Sequence, residues 1–420
     1  MYEALPPIDI GAKKGRNMMG LVQSRVARLL VTPIVGLAAL VAGTALGGGA
    51  AGASSTPFTI VIDTGVTGPY GANGTAAVEG TKAAASVLNK TQGGILGHKV
   101  VVDVLDNQGN PSTAATILEQ RLASGTKPDV IEPGSISTEG VVEVPIANAA
   151  KILSIGTPND SSLNNPSKYP YEFLVAPSAI LDEESLMNYV KAHHYTKIGM
   201  IYSSDAYGAS VGQATAQAAK KAGITLDTVT YNDTDLSVTS QLQQLQADKP
   251  QVLYTQGFGS PVGVILQDLY TLGWKIPTIG DLTTATTPLV ATDSSQPQEK
   301  GLLLQMLKLG VYSANAPTAE KNYLKAMASF GPITTPLLTS SYQYDSIMLV
   351  AQAAKQAKSI ATPALAKALE HLKQPANPLW VTLKTYVFSP SDHAPTTSPS
   401  NWVVIPASSL TNGQYDGPSS

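Results

Sequence analysis

Short β-branched runs alternate with helix-like segments twice along this chain, and that alternation constrains the fold more than any other feature. The first series opens with "FTIVI" (58–62), a glycine-rich loop and the alanine-rich segment 76–90. "KVVVDVLD" (99–106) follows as a strand, and Asn110-Pro111 starts the next helix with a capping residue and a proline at its first position. Gly125 closes that helix, "DVIEPG" (129–134) is a third strand, and a further α/β pair ends in "KILSIG" (151–156). Near residue 180 the grammar restarts with helix 182–194, strand 197–203 and helix 208–223, closed by Gly223. "ITLDTVTY", "SVTSQLQQLQ", "QVLYTQG", "PVGVILQDLYTLG" and "KIPTIG" continue it. The tail adds helices at 317–330, 339–358 and 363–372 and strands at 379–388 and 402–406, too little for a third core. The predicted class is α/β: two doubly wound parallel-sheet lobes joined by a hinge. Lobe 1 takes 57–177 plus about 309–388, and lobe 2 takes 178–308 plus about 389–420. Open α/β sheets bind ligands beyond their strand C-termini, so a cleft is expected between the lobes.

The segment 1–53 reads differently. Lys13, Lys14, Arg16, Arg25 and Arg28 precede the apolar run 29–41, and Ala51-Gly52-Ala53 has the small-x-small form of a cleavage site. This predicts an export signal cut after Ala53, with an uncleaved anchor as the alternative and Met18 or Met19 as alternative starts. Beyond it the net charge is about −6, and Arg121 is the only arginine. That balance gives no electrostatic case for nucleic acid. The chain has no cysteine, which excludes disulfides, thiolate chemistry and a lipidated N-terminal cysteine. A periplasmic or freely secreted protein is expected, and a monomer.

No catalytic set emerges. The loop "DTGVTGPYGANG" (63–74) carries Gly65, Gly68, Gly71 and Gly74, but Thr75-Ala76-Ala77 follows where a phosphate loop needs lysine and a hydroxyl. Its G-x-x-G-x-x-G spacing also differs from the dinucleotide turn. It is either a wall of a ligand pocket or a plain strand-to-helix turn. "GASVG" (208–212) matches a nucleophile elbow around Ser210, which would make an exported hydrolase. It falls instead on the first turn of a helix, at a position expected to be exposed. The histidines lack metal spacing, and "NDTDLS" (232–237) lacks the glycine and distal glutamate of a calcium loop. No metal or cofactor is expected. What remains is a row of polar loops after strands, at 133–140, 156–162, 203–208, 256–261 and 280–286. Their hydroxyls, backbone N–H groups and occasional carboxylates suit a small polar or zwitterionic ligand.

From about 58 to 406 the chain resembles the type I periplasmic solute-binding proteins of ABC importers, in the leucine/isoleucine/valine-binding branch. The pieces that carry the likeness stand in the family's order: "TGPYG", "LNKTQGGILGHKVVVDVLDNQGNP", "SSDAYG", "LGWKIPTIG", "YQYDSIMLVAQA" and "VFSPSDH". The resemblance implies a receptor that closes on an amino acid or related compound and delivers it to a permease and its ATPase. A ligand-sensing subunit of the same fold is the alternative, since the family also binds urea, short amides and aromatic acids. Carried over by position, the site would take Tyr70, Asn73, Ser135, Ser137, Thr138, Thr157 and Asn159 from lobe 1 and Tyr207, Phe258 and Asp281 from lobe 2. Hydroxyls and N–H groups would hold the ligand carboxylate, and Asp281 its ammonium. The family's G-P-x-x-S reads "EPGSIS" here, so the hydroxyl position falls on either Ser135 or Ser137.

Overall fold

The computed structural model describes residues 54–292 and 297–417. The expected export signal lies outside the described residues, and among those described no helix is long and apolar enough to cross a membrane. Strands β1 (Ser54–Thr64), β2 (His98–Asp106), β3 (Val130–Pro133), β4 (Leu153–Gly156) and β5 (Glu172–Leu174) form a parallel sheet in the order β2-β1-β3-β4-β5. Helices α1 (Gly71–Gln92), α2 (Pro111–Ala123) and α3 (Ser137–Ala149) connect its first four strands. The local chemistry sets the boundaries. Asn110 caps α2 by accepting from Ser112 N and Thr113 N, with Pro111 at the first position, and Gly93 ends α1 in the left-handed region.

After β5 the chain crosses to a second sheet. There α4 (Ala179–Ala192), β6 (Lys197–Ser203), α5 (Ala206–Ala222), β7 (Thr225–Tyr231), α6 (Thr239–Asp248), β8 (Val252–Thr255), α7 (Ser260–Thr271) and β9 (Thr278–Gly280) follow in turn. After α8 (Pro288–Thr292) comes β10 (Leu302–Leu307); the chain then returns to the first sheet's side with α9 (Thr318–Met327), α10 (Leu338–Ala357) and α11 (Thr362–Glu370). It crosses once more to add β11 (Trp402–Pro406), antiparallel to β10, giving the order β11-β10-β9-β8-β6-β7. A small hairpin, β12 (Leu410–Thr411) and β13 (Gln414–Tyr415), ends the described chain. The α10 helix is buried nearly throughout and lies along α1.

The strand expected at 379–388 does not form. Those residues run without a ladder, held by side chains: Asp345 on α10 accepts from Val381 N (2.7 Å), Thr382 N (2.8 Å) and the Tyr386 hydroxyl (2.7 Å). A carboxylate has replaced the partner strand as the acceptor of these backbone donors.

Candidate functional site

Every polar loop singled out above emerges from the C-terminal end of a parallel strand. Tyr70 follows β1, Ser135 follows β3, Thr157 follows β4, Asp205 and Tyr207 follow β6, Phe258 follows β8 and Leu282 follows β9. The two sheets turn these ends toward each other around a cavity of about 80 Å³. On that measure a single water needs roughly 10–15 Å³, so the space suits a small molecule. Tyr70, Ser135, Ser137, Thr157, Asn159, Tyr207 and Phe258 line it. Asn73, Thr138 and Asp281 do not.

The hydroxyl wall comes from the first sheet. Ser137 Oγ accepts from Asn159 N (3.0 Å), and Ser135 Oγ accepts from the Thr64 hydroxyl (3.0 Å). Each hydroxyl oxygen is thus bonded inward, and each keeps its own proton to donate. Glu139 fixes this wall by accepting from Ser135 N (2.8 Å), Ile136 N (3.3 Å) and Gly65 N (3.1 Å). Burial pushes its carboxyl up to about 7, and those N–H bonds oppose the shift.

The glycine loop contributes less than its composition suggests. Val66 N and Thr67 N donate to Asp106, and Gly71 N donates to Gly68 O, so its amides are used within the protein. A Cβ on Gly65 would lie 2.5 Å from Gly109 N, and one on Gly74 would lie 2.0 Å from Gly65 O. These glycines allow close backbone packing, and the helix begins already at Gly71. Tyr70 is the loop's contribution to the cavity. Its hydroxyl donates to Asp233 Oδ2 (3.0 Å) beyond β7, and its ring faces Phe258 at 5.7 Å. Asn73 Nδ2 likewise reaches the Thr286 hydroxyl (3.2 Å), joining α1 to the segment after β9.

Asp281 is occupied elsewhere. Both carboxylate oxygens accept from the Thr283 hydroxyl (2.8 and 2.7 Å), and Oδ1 also accepts from Thr284 N (2.7 Å), capping the short turn at Thr284–Thr286. Burial raises it to about 6 against those bonds. Thr138 sits half-buried on α3. Ser210 is buried on α5 rather than exposed, and its Oγ donates to Asn159 O at 3.4 Å. Of the downstream histidines, His393 stacks on Phe173 and its ring bonds Glu172 O.

Sequence reasoning missed Asp182, Leu338, Thr339 and Tyr342, and it flagged the loops of Asp205, Leu282, Thr283 and Thr286 without naming those residues; all of them line the cavity. Asp182 hides in an acidic helix start, which reads as a solvated first turn. Thr339 and Tyr342 stand in the polar first half of α10, "LTSSYQYDS", which is buried nonetheless. No lysine, arginine or histidine lines the cavity, whereas Asp182 and Asp205 do. Among the described residues no cluster is arranged to hold a metal.

The family model described as periplasmic binding protein matches residues 57–401. The chain belongs to that family. It is 28% identical over 246 residues to Leu/Ile/Val-binding protein homolog 3 of Brucella melitensis, covering 55% of this chain and 63% of that protein. It is 26% identical over 236 residues to Leu/Ile/Val-binding protein BraC3 of Rhizobium johnstonii, covering 53% and 60%. The chain thus spans less than two thirds of the curated relatives it matches. An extracellular ligand-binding receptor from Rhodopseudomonas palustris superimposes with a TM-score of 0.73 at 22% identity, over 84% of this chain and 98% of that one. A leucine-binding protein from Thermotoga maritima gives 0.65 at 16%, over 80% and 92%. Membership of the periplasmic binding protein family implies export.

Proposed function

We propose that this chain is the extracytoplasmic receptor of an ABC importer for an amino acid or related small polar compound, working as a monomer in the periplasm or secreted. Residues 57–177 with about 309–388 would form one lobe, and 178–308 with about 389–420 the other, closing on the ligand before docking to a permease and its ATPase. The observation that carries this is the convergence of strand C-termini from both sheets on one cavity with a hydroxyl wall at Ser135, Ser137 and Thr157. The names of the Brucella and Rhizobium relatives support an amino acid. The ligand drives closure only through contacts made better in the closed state.

A thermal-shift plate of amino acids, amides, ureas and small acids tests the reading. A ligand at one hundred times its Kd stabilises the folded state by about 2.7 kcal/mol, which a melt resolves easily. A plate with no shift would refute a receptor for this class of compound.

A further inference from the structure

Asp182 is the cavity residue whose chemistry is incomplete. It lies on the buried face of α4 and is 6% exposed; its Oδ1 has no hydrogen-bond partner. It lines the cavity beside Tyr207 and Tyr342. The second cavity carboxylate differs, because Asp205 caps α5 through Gly208 N at 2.6 Å. A buried carboxyl with an unbonded oxygen is costly; the Trp402 indole N–H approaches this group, and Asp182 itself lines the cavity.

We propose that Asp182 is the anionic contact for the ligand and that the ligand carries a protonated nitrogen. The assignment rests on the receptor reading above, and it moves the charge-pairing role away from Asp281. The surroundings favour a cation over an anion. Glu183 on α4 and Asp281 beyond β9 are acidic neighbours of Asp182, Tyr207 on α5 and Tyr342 on α10 are neutral, and Trp402 on β11 offers only an indole N–H. An anionic group placed there would meet no cation, and any of these carboxyls that ionises would repel it.

The same setting predicts a proton exchange. Burial first, then Glu183 and Asp281, hold the Asp182 carboxyl well above the usual range, which favours its protonated form before the ligand arrives. A ligand ammonium needs the ionised form, so binding releases that proton. Affinity should fall about tenfold per pH unit as pH drops below the Asp182 value in the unliganded protein.

The test uses leucine, 3-methylbutylamine and 4-methylpentanoate, which share one side chain and differ in charge. Calorimetric titration of the purified protein in buffers of different ionisation enthalpy reads affinity and proton release together. The expected result is binding of leucine or the amine with proton release, and none of the acid. Asp182→Asn should weaken the amine-bearing probe at least 30-fold, an order-of-magnitude figure for truncating one partner of a buried pair. If that variant fails to fold, proton release and the pH profile of the unaltered protein decide alone. The acid binding as tightly as leucine, amine binding without proton release, or near-normal affinity in a folded Asp182→Asn protein would each overturn the assignment. If the amine-bearing probes fail while an acid, amide or urea on the wider plate binds, the assignment falls and the receptor stands. If nothing binds, both fall.

Discussion

The Asp281 carboxylate spends its hydrogen bonds on the turn that follows it. With Thr283 and Thr284 as donors it acts as a cap, and caps of this kind stabilise by about 1 kcal/mol. Asp281→Ala should therefore lower stability by about that amount in a denaturant melt while leaving ligand affinity near normal. A loss of affinity with unchanged stability would restore the ammonium-binding role that family position implies. The sequence could not separate these outcomes, because an aspartate just after a strand occurs equally at a pocket edge and at a turn. What decides is the following threonine pair, whose hydroxyl and amide lie within reach of the carboxylate. Ser135 and Ser137 show the opposite case. Family position left one ligand hydroxyl to choose between them, and the structure puts both on the cavity, each with its oxygen bonded inward.

Among elements, α1 and α10 show how far the pattern of the chain carries and where it stops. The cap at Asn110 began α2, and the left-handed glycines at 93 and 223 ended α1 and α5, close to where residue chemistry implies. The strand β10 passed unnoticed, since "LLLQML" lacks the alternation that would distinguish it from a buried helix segment. Segment 379–388 misled for the converse reason: its β-branched and aromatic residues pack under α10 through Asp345 without pairing. The contact of α1 with α10 depends on Gly80, where a Cβ would stand 2.0 Å from the Ser340 carbonyl oxygen. In an isolated helix, replacing glycine by alanine gains up to about 1 kcal/mol. Here the new methyl meets backbone, so Gly80→Ala should cost about 1–3 kcal/mol instead, read by urea unfolding. A more stable Gly80→Ala protein would mean that α1 can move off α10 freely.

The whole molecule buries many carboxylates and few cations. Burial pushes Asp63, Glu132, Glu172 and Glu183 up to about 8, and Glu139 and Asp345 to about 7. Among the described residues none of these pairs with lysine or arginine; Arg121 is held by Asp103 at 2.5 Å. In the unfolded chain the same groups ionise near 3.8 for aspartate and 4.5 for glutamate. The folded state therefore binds more protons than the unfolded state between those values and about 8. The sign follows: the contribution is full below the unfolded values, shrinks as pH rises, and is lost once pH passes the folded values. Calorimetric melts at constant ionic strength should give a higher Tm at pH 5 than at pH 8. Glu132 offers the cleanest check, because its partners are the neutral hydroxyls of Thr81 and Ser346. Glu132→Gln keeps a group able to bond both and removes the titration, so the fall in stability across this range should be shallower by the share of one proton. A Tm that is flat or rises from pH 5 to pH 8 would show that these carboxylates remain ionised in the folded protein, held by water or by one another's hydrogen bonds rather than by protons.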